Sequence, residues 1–558
     1  MTAPDNSAPA LAGVPTPAHD ARLSPWAPLR HRVFLALFIA QMASNIGTLM
    51  QSVGSAWLMG DLGATRTFVA LVQTATFLPV FVFGIPGGAL ADIIDRRRLL
   101  LVTQTWMMLA ALGLTVLSFA HRVTPAYLLA LTFALGIGAA VNGPAWMAIQ
   151  PDLVPKREFS QAMALGALTY NVGRAIGPAL GGLILAALGA PWVFAVNALS
   201  FTGTVVVLAR WRRPFVPTRL PAETLAGATR AALRYGINAP LLRTVLVRVA
   251  ALVLPAAALQ ALLPIVVRDS LRLSSGAYGI LLGCFGVGAA CAAVLRPRFE
   301  ERWSPDRLIV AATLVMAAGT VVDGYVTQPV LVGIALAITG LAWTTAFTTV
   351  NVAAQATLAA WVRARGMGIY MLVLAGGLAV GSAAWGLVAD WSVTGAHVIA
   401  ALLLVAGLLL VRRFRLDHTV GMDLTAVPGV DPVVMLSPRA DDGPVMVTVV
   451  YRVPEAAMTT FVAEMREIER HRRRTGAFQW GLFRDLAVPD RFVETFHVDS
   501  WAEHLRQHER NTVSGSTRRD AMRRYVDPGT EITHLVSAYS AGALDPVALG
   551  EPTFTDEL

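Results

Sequence analysis

The sequence has little charge for its length. Only 15% of its 558 residues are Asp, Glu, Lys or Arg, whereas 55% are hydrophobic and the mean hydropathy is +0.57. In a soluble protein roughly a quarter of all residues are charged, so this composition excludes a chain that folds entirely in water. It indicates a polytopic membrane protein.

Cysteine is also scarce, since Cys284 and Cys291 are the only two. This excludes a disulfide framework, a CxxC redox pair and a cysteine-based zinc site, and we interpret both as small apolar packing residues. The chain starts without the cationic stretch and short apolar run of a signal peptide. That absence favours a disordered cytoplasmic tail over residues 1–29.

The sequence contains twelve apolar runs that are long enough to cross a bilayer core of about 30 Å. Lipid forces the backbone to satisfy its own hydrogen bonds, so runs of this length are helices and not barrel strands. The predicted spans are 32–57, 68–91, 99–120, 126–149, 162–187, 192–209, 242–266, 278–295, 308–326, 330–350, 366–388 and 394–411.

The net charge of +9 reflects basic residues between these runs. Connections on one side hold 24 Arg and Lys, and those on the other side hold four: Arg66, Arg122, Arg268 and Arg272. Positive residues remain in the cytoplasm, so both termini are predicted to be cytoplasmic, which requires an even number of spans. Because the basic residues do not form one soluble face, we expect no nucleic-acid partner.

A repeat divides the spans six and six. The segment GRAIGPALGG at 173–182 in the fifth run matches GLAVGSAAWG at 377–386 in the eleventh. Two halves related by parallel duplication are a transporter architecture, with the substrate path at their interface. The long connection between the halves contains a predicted interfacial amphipathic helix over 221–235.

The last part of the chain has the charge density of a soluble domain. Its pattern predicts the order β-α-β-β-α-β of a ferredoxin-like α+β domain. The predicted strands are 445–453, 477–484, 491–498 and 531–540, and the predicted helices are 454–475, 500–510 and 518–525.

The sequence therefore predicts an all-α membrane protein of twelve transmembrane helices in two six-helix halves, followed by that soluble domain. The predicted order is a disordered tail (1–29), an N-terminal half (30–209), a cytoplasmic central loop (210–241), a C-terminal half (242–412), a linker (413–443), the ferredoxin-like domain (444–540) and an acidic tail (541–558).

A charged motif separates the second and third runs. Asp92 lies at the membrane boundary, where an unpaired carboxylate is costly, so a nearby Arg or helix N-terminus should stabilise it. The motif resembles the GxLaDrxGrrxxl signature of the major facilitator superfamily, with Asp95 in place of the second glycine. The resemblance implies that Gly88, Asp92, Arg96 and Arg97 latch the two halves on the cytoplasmic side. The alternative is a cytoplasmic turn with ordinary arginines.

A second motif places small residues and one proline at helical spacing: Gly173, Gly177, Pro178, Gly181 and Gly182. Small residues let helices approach closely, and a proline bends its helix. The motif is similar to the antiporter motif of the superfamily, although Ala164 stands where that motif has an upstream glycine. The alternative is a tightly packed helix pair without a role in coupling.

Four polar residues are candidates for the substrate path: Gln41, Asn45, Asn142 and Arg174. An intramembrane Arg usually faces protein or a water-filled cavity. Interhelical hydrogen bonds, or snorkelling of Arg174 to an interface, are the alternatives, and Arg248 is expected to snorkel because it lies nearer a helix end. Asp323 lies towards the outer end of the ninth run, and a carboxylate in the middle of a run is lacking, so the energy source stays open.

Two histidines in the soluble domain have a spacing that could bind a metal, but a complete set of ligands is not apparent. His504 and His508 are one helical turn apart, a spacing that suits zinc, but HExxH is absent and a third ligand is not apparent. We interpret them as a solvent-facing helix surface and predict no metal site. Trp480 and Trp501 are interpreted as core residues, and the basic run 470–474 as a helix end facing anionic lipid.

The soluble domain resembles the dimeric α/β-barrel domains of antibiotic-biosynthesis monooxygenases. Because no catalytic residue can be matched, we predict no enzymatic activity and no cofactor. The resemblance implies a homodimer formed through this domain.

The motifs together with the segment QPDLVP at 150–155 resemble the transmembrane secretion effector branch of the superfamily, which includes enterobactin-exporter-like proteins, over residues 30–412. The resemblance implies the major facilitator fold and a transporter in the cytoplasmic membrane. It would export a small hydrophobic or siderophore-like molecule by alternating access, with protons as one candidate energy source. The rival interpretations are a membrane receptor or scaffold, and a transporter fused to a monooxygenase-like enzyme.

Overall fold

The computed structural model describes residues 24–211, 239–359, 362–416, 438–510 and 532–537. The predicted helices 221–235 and 518–525, most of the predicted linker, residues 1–23 of the predicted N-terminal tail and the whole acidic tail lie outside these ranges. Residues 24–29 of the predicted disordered tail lie inside them, and Ala27–Arg30 forms a short 3-10 helix with Ala27 and Pro28 buried.

Within the described ranges, twelve helices are long and apolar enough to cross a membrane. Each coincides with one predicted run, which confirms the all-α membrane body. They are α1 Arg32–Asp61, α2 Arg66–Ile93, α3 Arg96–Phe119, α4 Pro125–Leu153, α5 Phe159–Leu188, α6 Ala190–Arg210, α7 Pro240–Ile265, α8 Ser275–Glu300, α9 Pro305–Tyr325, α10 Pro329–Ala356, α11 Arg363–Trp391 and α12 Val393–Arg413.

The predicted fourth span ends at 149, but α4 continues to Leu153, so the first part of the segment 150–155 is helical. Ile149 and Leu153 are buried in an apolar cluster with Leu99 and Leu165. Burying two large side chains on the same helix face favours one more helical turn, at about 1.5–3 kcal/mol for each side chain.

The two halves repeat the same packing. Helix α5 lies on α1 and α8, and α11 lies correspondingly on α7 and α2. A Cβ on Gly177 would lie 2.9 Å from the Cβ of Leu49 in α1, and one on its equivalent Gly381 would lie 2.8 Å from the Cβ of Ala257 in α7. Only glycine permits such an approach, so the sequence repeat marks the equivalent close contact in each half.

The soluble domain has the predicted ferredoxin-like topology. Its elements are β1 Val445–Arg452, α13 Met458–Thr475, β2 Phe478–Arg484, β3 Arg491–Val498, α14 Trp501–Glu509 and β4 Ile532–Val536. The strands form an antiparallel sheet in the order β2-β3-β1-β4. Alternate residues of β1 and β3 are buried, and together with Phe461, Met465 and Trp501 they form the core.

A polar network crosses this core. The buried carboxylate of Glu494 accepts hydrogen bonds from the Tyr451 hydroxyl at 2.8 Å, Trp480 Nε1 at 2.9 Å and Arg472 Nε at 3.1 Å. Burial opposes the charge of Arg472, but Glu494 raises its pKa overall. The prediction that the basic run faces lipid is therefore wrong for Arg472, because a buried carboxylate holds it in the domain.

Candidate transport site

Two ion pairs join the halves at one end of the membrane body. Following the orientation predicted from the sequence, we call this the outer end: it carries residues 61–66 and 268–272, and the opposite end is the inner end. Arg66 Nε lies 3.2 Å from Asp269 Oδ2, and Arg268 Nη1 lies 3.0 Å from Asp61 Oδ1. All four side chains are exposed by more than a third, so each pair contributes only about 0–1 kcal/mol. Such contacts hold a closed end that can reopen.

Helix α2 begins against the end of α11. The Asp390 carboxylate accepts hydrogen bonds from the Thr67 backbone N–H at 3.2 Å and from its hydroxyl at 2.5 Å, and Arg66 Nη1 donates to the Ala389 carbonyl at 3.1 Å. A carboxylate at a helix N-terminus satisfies unpaired N–H groups and the helix dipole. The start of α2 is thus capped by the other half of the protein.

Contact between the halves continues towards the middle of the body. A Cβ on Gly386 of α11 would lie 3.0 Å from the Cα of Thr67, and the Thr74 hydroxyl donates to the Ala379 carbonyl at 2.8 Å. The Arg174 guanidinium of α5 lies 5.3 Å from the ring centre of Phe285 in α8, a cation–π contact. Arg174 therefore lies at the boundary between the halves.

The predicted path residues fall into separate groups. Gln41 Nε2 donates to Asn45 Oδ1 at 3.0 Å, and Asn45 Nδ2 donates to the Thr169 hydroxyl at 3.1 Å. Asn142 Oδ1 instead accepts from Gln104 Nε2 at 3.1 Å, within the α3–α4 contact. The structure thus brings Gln41 and Asn45 together, whereas Asn142 and Arg174 bind other partners.

A small recess with a cavity volume of about 10 Å³, room for one water molecule, lies between α1, α4 and α5. Its lining combines aromatic and amide side chains, among them Phe38, Gln41, Trp146, Gln150 and Thr169. The Oε1 atoms of Gln41 and Gln150 are buried without a hydrogen-bond partner among the described residues. Unpaired buried acceptors are costly, so these two oxygens favour a hydrogen-bond donor entering the recess.

The arginines of the charged motif bind within the N-terminal half. Arg96 Nη1 donates to the Ala148 carbonyl at 2.8 Å, and Arg97 Nε donates to the Leu208 carbonyl at 2.7 Å. Asp95 accepts from the Arg98 backbone N–H at 2.9 Å and caps α3. The Asp92 side chain lies outside the described part of the structure, and Gly88 has open space beside it. The latch between the halves stays a prediction.

The five motif residues of α5 contact two helices. Gly173, Gly177 and Gly181 lie against α1, where a Cβ on Gly177 would lie 2.9 Å from Leu49 Cβ. Gly182 instead faces α8, and Pro178 is buried in the middle of the helix. This geometry allows close packing, and a role in antiport stays a prediction.

Arg248 was expected to snorkel, and that prediction is wrong. The residue is only 4% exposed, its Nη1 lies 2.5 Å from Asp306 Oδ1, and it also donates to the Phe414 carbonyl. Asp306 lies in the first turn of α9. A carboxylate within reach keeps the guanidinium inside the protein, where it ties α7 to α9 and to the end of α12.

Sequence reasoning also missed a buried pair between α9 and α12. His397 Nε2 lies 3.2 Å from Asp323 Oδ2, and both side chains are at most 2% exposed. His397 Nδ1 interacts with the Val393 carbonyl at 2.8 Å, which orients the ring. The available signal was a histidine within the otherwise apolar twelfth run.

Three histidines meet in the soluble domain. His504 is 1% exposed, so the expectation of a solvent-facing surface is wrong for it, and His534 of β4 supplies a third imidazole. Burial lowers the pKa of His504 to about 3, with the charges of His508 and His534 adding to the effect, and burial also lowers the pKa of His534. His534 was missed because it lies on a separate strand.

The profile of the transmembrane secretion effector family matches residues 23–541. The chain belongs to this family. It is 27% identical over 284 residues to the enterobactin exporter EntS of Salmonella choleraesuis, which covers 51% of this chain and 68% of the exporter. It is 29% identical over 179 residues to the staphyloferrin A transporter of Staphylococcus aureus, which covers 32% of this chain and 45% of that transporter.

Solved structures with the same fold include transporters. A POT family transporter in complex with 5-aminolevulinic acid aligns with a TM-score of 0.56 at 14% identity over 70% of this chain and 97% of that one. A bacterial homologue of the lysosomal transporter Spinster, inward-facing and occupied, aligns with a TM-score of 0.53 at 15% identity over the same shares. The major facilitator fold is confirmed, and this member of the family is a multi-pass membrane transporter with a small-molecule substrate.

Proposed function

We propose that this protein exports a small hydrophobic or siderophore-like molecule across the cytoplasmic membrane by alternating access, with both termini in the cytoplasm. The observation that carries the proposal is the outer end, where Arg66, Thr67 and Arg268 bind carboxylates of the opposite half. A body held closed there takes up its substrate from the inner end, as an exporter must. The enterobactin exporter among its relatives supports this direction.

The substrate is proposed to contact the recess between α1, α4 and α5. Its volume of about 10 Å³ admits no more than one water molecule, so one aromatic or amide-bearing part of the substrate would enter it only when α1, α4 and α5 separate during the transport cycle. Trp146 offers a stacking surface, and the unpaired Oε1 atoms of Gln41 and Gln150 accept hydrogen bonds from the ligand.

Protons are proposed to drive export. Histidine changes charge near neutral pH, and the pair of Asp323 and His397 places such a group against a carboxylate inside the membrane body. If this proposal holds, a protonophore stops uptake of labelled substrate into inside-out vesicles.

The direct test locks the outer end. Thr67 and Asp390 are replaced by cysteine in a chain whose Cys284 and Cys291 are changed to serine. A short cross-linker that attaches to both thiols through disulfide bonds, and is therefore released by reduction, joins the pair. We expect transport of a labelled siderophore in proteoliposomes to stop on cross-linking and to return on reduction. Transport that continues in the cross-linked protein would contradict the proposal that the outer end must open.

A matched control lies in the same part of the body. Phe119 and Trp192 are in ring contact at 5.5 Å, but both belong to the N-terminal half. Cysteines at these positions should cross-link without stopping transport, because opening of the outer end does not separate them. Loss of transport in this control would show that the chemistry, rather than the gate, causes inhibition.

The soluble domain is proposed to join two copies of the chain and to lack enzymatic activity. The sheet face away from the core exposes Phe483 by 60% and Leu535 by 45%, and a second sheet would cover these side chains. Phe483→Arg is expected to turn a dimer in detergent into a monomer, measured by light scattering. Leu486→Arg, at a 96% exposed position between β2 and β3, is the control.

Turnover of a quinol-like substrate by the full chain would contradict the proposed lack of enzymatic activity.

A further inference from the structure

We propose that His504, His508 and His534 form a binding site for a divalent first-row transition metal, with Zn²⁺ as the reference ion, in the soluble domain. The three residues each offer one ring nitrogen, and these atoms lie within 4.8 Å of one another. The transport function described above does not use this cluster.

Two of the imidazoles already have the separation that a metal requires. His504 and His508 are four residues apart on α14, so they lie on one face of the helix. Their Nε2 atoms are 3.3 Å apart. Two nitrogens bound to a tetrahedral Zn²⁺ at about 2.0–2.1 Å are separated by about 3.3–3.4 Å, so one ion fits between them without moving the helix.

The third imidazole comes from the facing strand. His534 of β4 is opposite Val447 of β1, and Val447 is buried beneath the helices. Cross-strand partners point to the same side of a sheet, so His534 faces α14. Its ring centre lies 4.8 Å from that of His504.

The surroundings hold the rings in place. Trp501 contacts His504 at 5.4 Å and His534 at 6.1 Å between ring centres. The N-terminus of α14 is capped by Ser500, whose hydroxyl accepts from the Glu503 backbone N–H at 3.3 Å. A helix fixed at its start and aromatic packing around the ligands restrict the three rings, and metal binding requires the most distant pair of nitrogens to close from within 4.8 Å to about 3.4 Å.

The ligand set decides the class of ion. Three imidazoles suit Zn²⁺, Co²⁺, Ni²⁺ and Cu²⁺, whereas Mg²⁺ and Ca²⁺ prefer oxygen ligands. Three protein ligands leave a fourth tetrahedral position for water or another donor.

The test uses the full chain in detergent, purified with an affinity tag that contains no histidine, and titrated with Co²⁺. We expect one Co²⁺ per chain, with the visible absorption of a tetrahedral centre, and displacement by Zn²⁺. His508→Ala and His534→Ala should each weaken binding at least about tenfold. His471→Ala on α13 is the matched control and should leave binding unchanged.

A second variant separates ligand loss from misfolding. His508→Cys supplies a thiolate in place of the imidazole, so it should keep one Co²⁺ per chain and add a sulfur-to-cobalt charge-transfer band. Absence of saturable binding by the unaltered chain would overturn the proposal. So would equal binding by the unaltered chain, His508→Ala and His534→Ala, or a His508→Cys spectrum without the new band.

Discussion

Gly182 of α5 and Gly279 of α8 meet backbone to backbone across the boundary between the two halves. A Cβ added to either residue would lie 2.6 Å from the Cα of the other. Real Cβ atoms do not approach a backbone so closely, so this contact requires the absence of both side chains. It links the glycine motif found in the sequence to the closed outer end.

We expect Gly182→Ala to open the outer end. The added methyl group cannot fit without separating α5 from α8, and overpacking of this kind costs about 1–3 kcal/mol, or at least about a fivefold shift in the population of the closed state. The readout is thiol labelling of a single cysteine at Thr67, which should become faster.

The matched control for this variant is Gly283→Ala on the same face of the same helix pair. A Cβ there would meet only Ala179 Cβ, at an ordinary 3.4 Å. Its labelling rate should equal that of the starting protein. A labelling rate unchanged by Gly182→Ala would mean that the halves adapt to the methyl group.

Arg174→Ala should weaken the coupling of transport to its driving ion. The guanidinium is the charge of α5 that contacts the other half, over the ring of Phe285, and its removal takes away a cation–π contact of about 0.5–2 kcal/mol. Arg174→Lys keeps a cation at this position and should retain more activity. Transport by Arg174→Ala with unaltered pH dependence and substrate affinity would reduce Arg174 to a packing role.

Most of the membrane fold could be predicted because lipid leaves the chain few alternatives. Apolar runs must be helices, and the predicted spans fall short of the structural ends mainly where polar or small residues continue the helix beyond the apolar run. Asp61 of α1 and Glu300 of α8 are such ends. Helix α4 extends to Leu153 for a different reason, burial of its last turn against the neighbouring helices.

The contacts between distant segments could not be predicted in the same way. Arg248 finds Asp306 because α7 and α9 pack together, and nothing local to either residue indicates this. His534 reaches His504 through the pairing of β4 with β1, a register that the sequence does not specify. Buried polar partners depend on tertiary packing, so a single sequence reveals the candidates but not the pairs.

Asp92→Asn is expected to abolish transport and to leave membrane insertion intact. The sequence places Asp92 at the membrane boundary, and an uncharged amide loses the attraction to a cation or helix N-terminus that a latch requires. Transport into vesicles and the amount of protein in the membrane fraction are the two measurements.

The neighbouring carboxylate provides the control for this change. Asp95→Asn keeps an oxygen that accepts the Arg98 backbone N–H and so preserves the cap of α3. It should transport normally. Normal vesicle transport by Asp92→Asn would refute the latch role that the motif implies.

The pair of Asp323 and His397 should behave as a unit. Asp323→Leu leaves the His397 ring without its partner, and His397→Phe leaves the Asp323 carboxylate without one, so each change should cost about 1–3 kcal/mol and lower the thermal unfolding midpoint. The double variant replaces both groups with apolar side chains and should recover most of that loss. Additive losses in the double variant would contradict a direct interaction.

The same double variant separates stability from proton coupling. Once the unfolding midpoint has recovered, a transport rate that no longer responds to a protonophore is the outcome expected if Asp323 and His397 carry the coupling proton. A rate that still falls with the protonophore would leave the pair as a structural tie between α9 and α12, because apolar side chains in both positions cannot bind a proton.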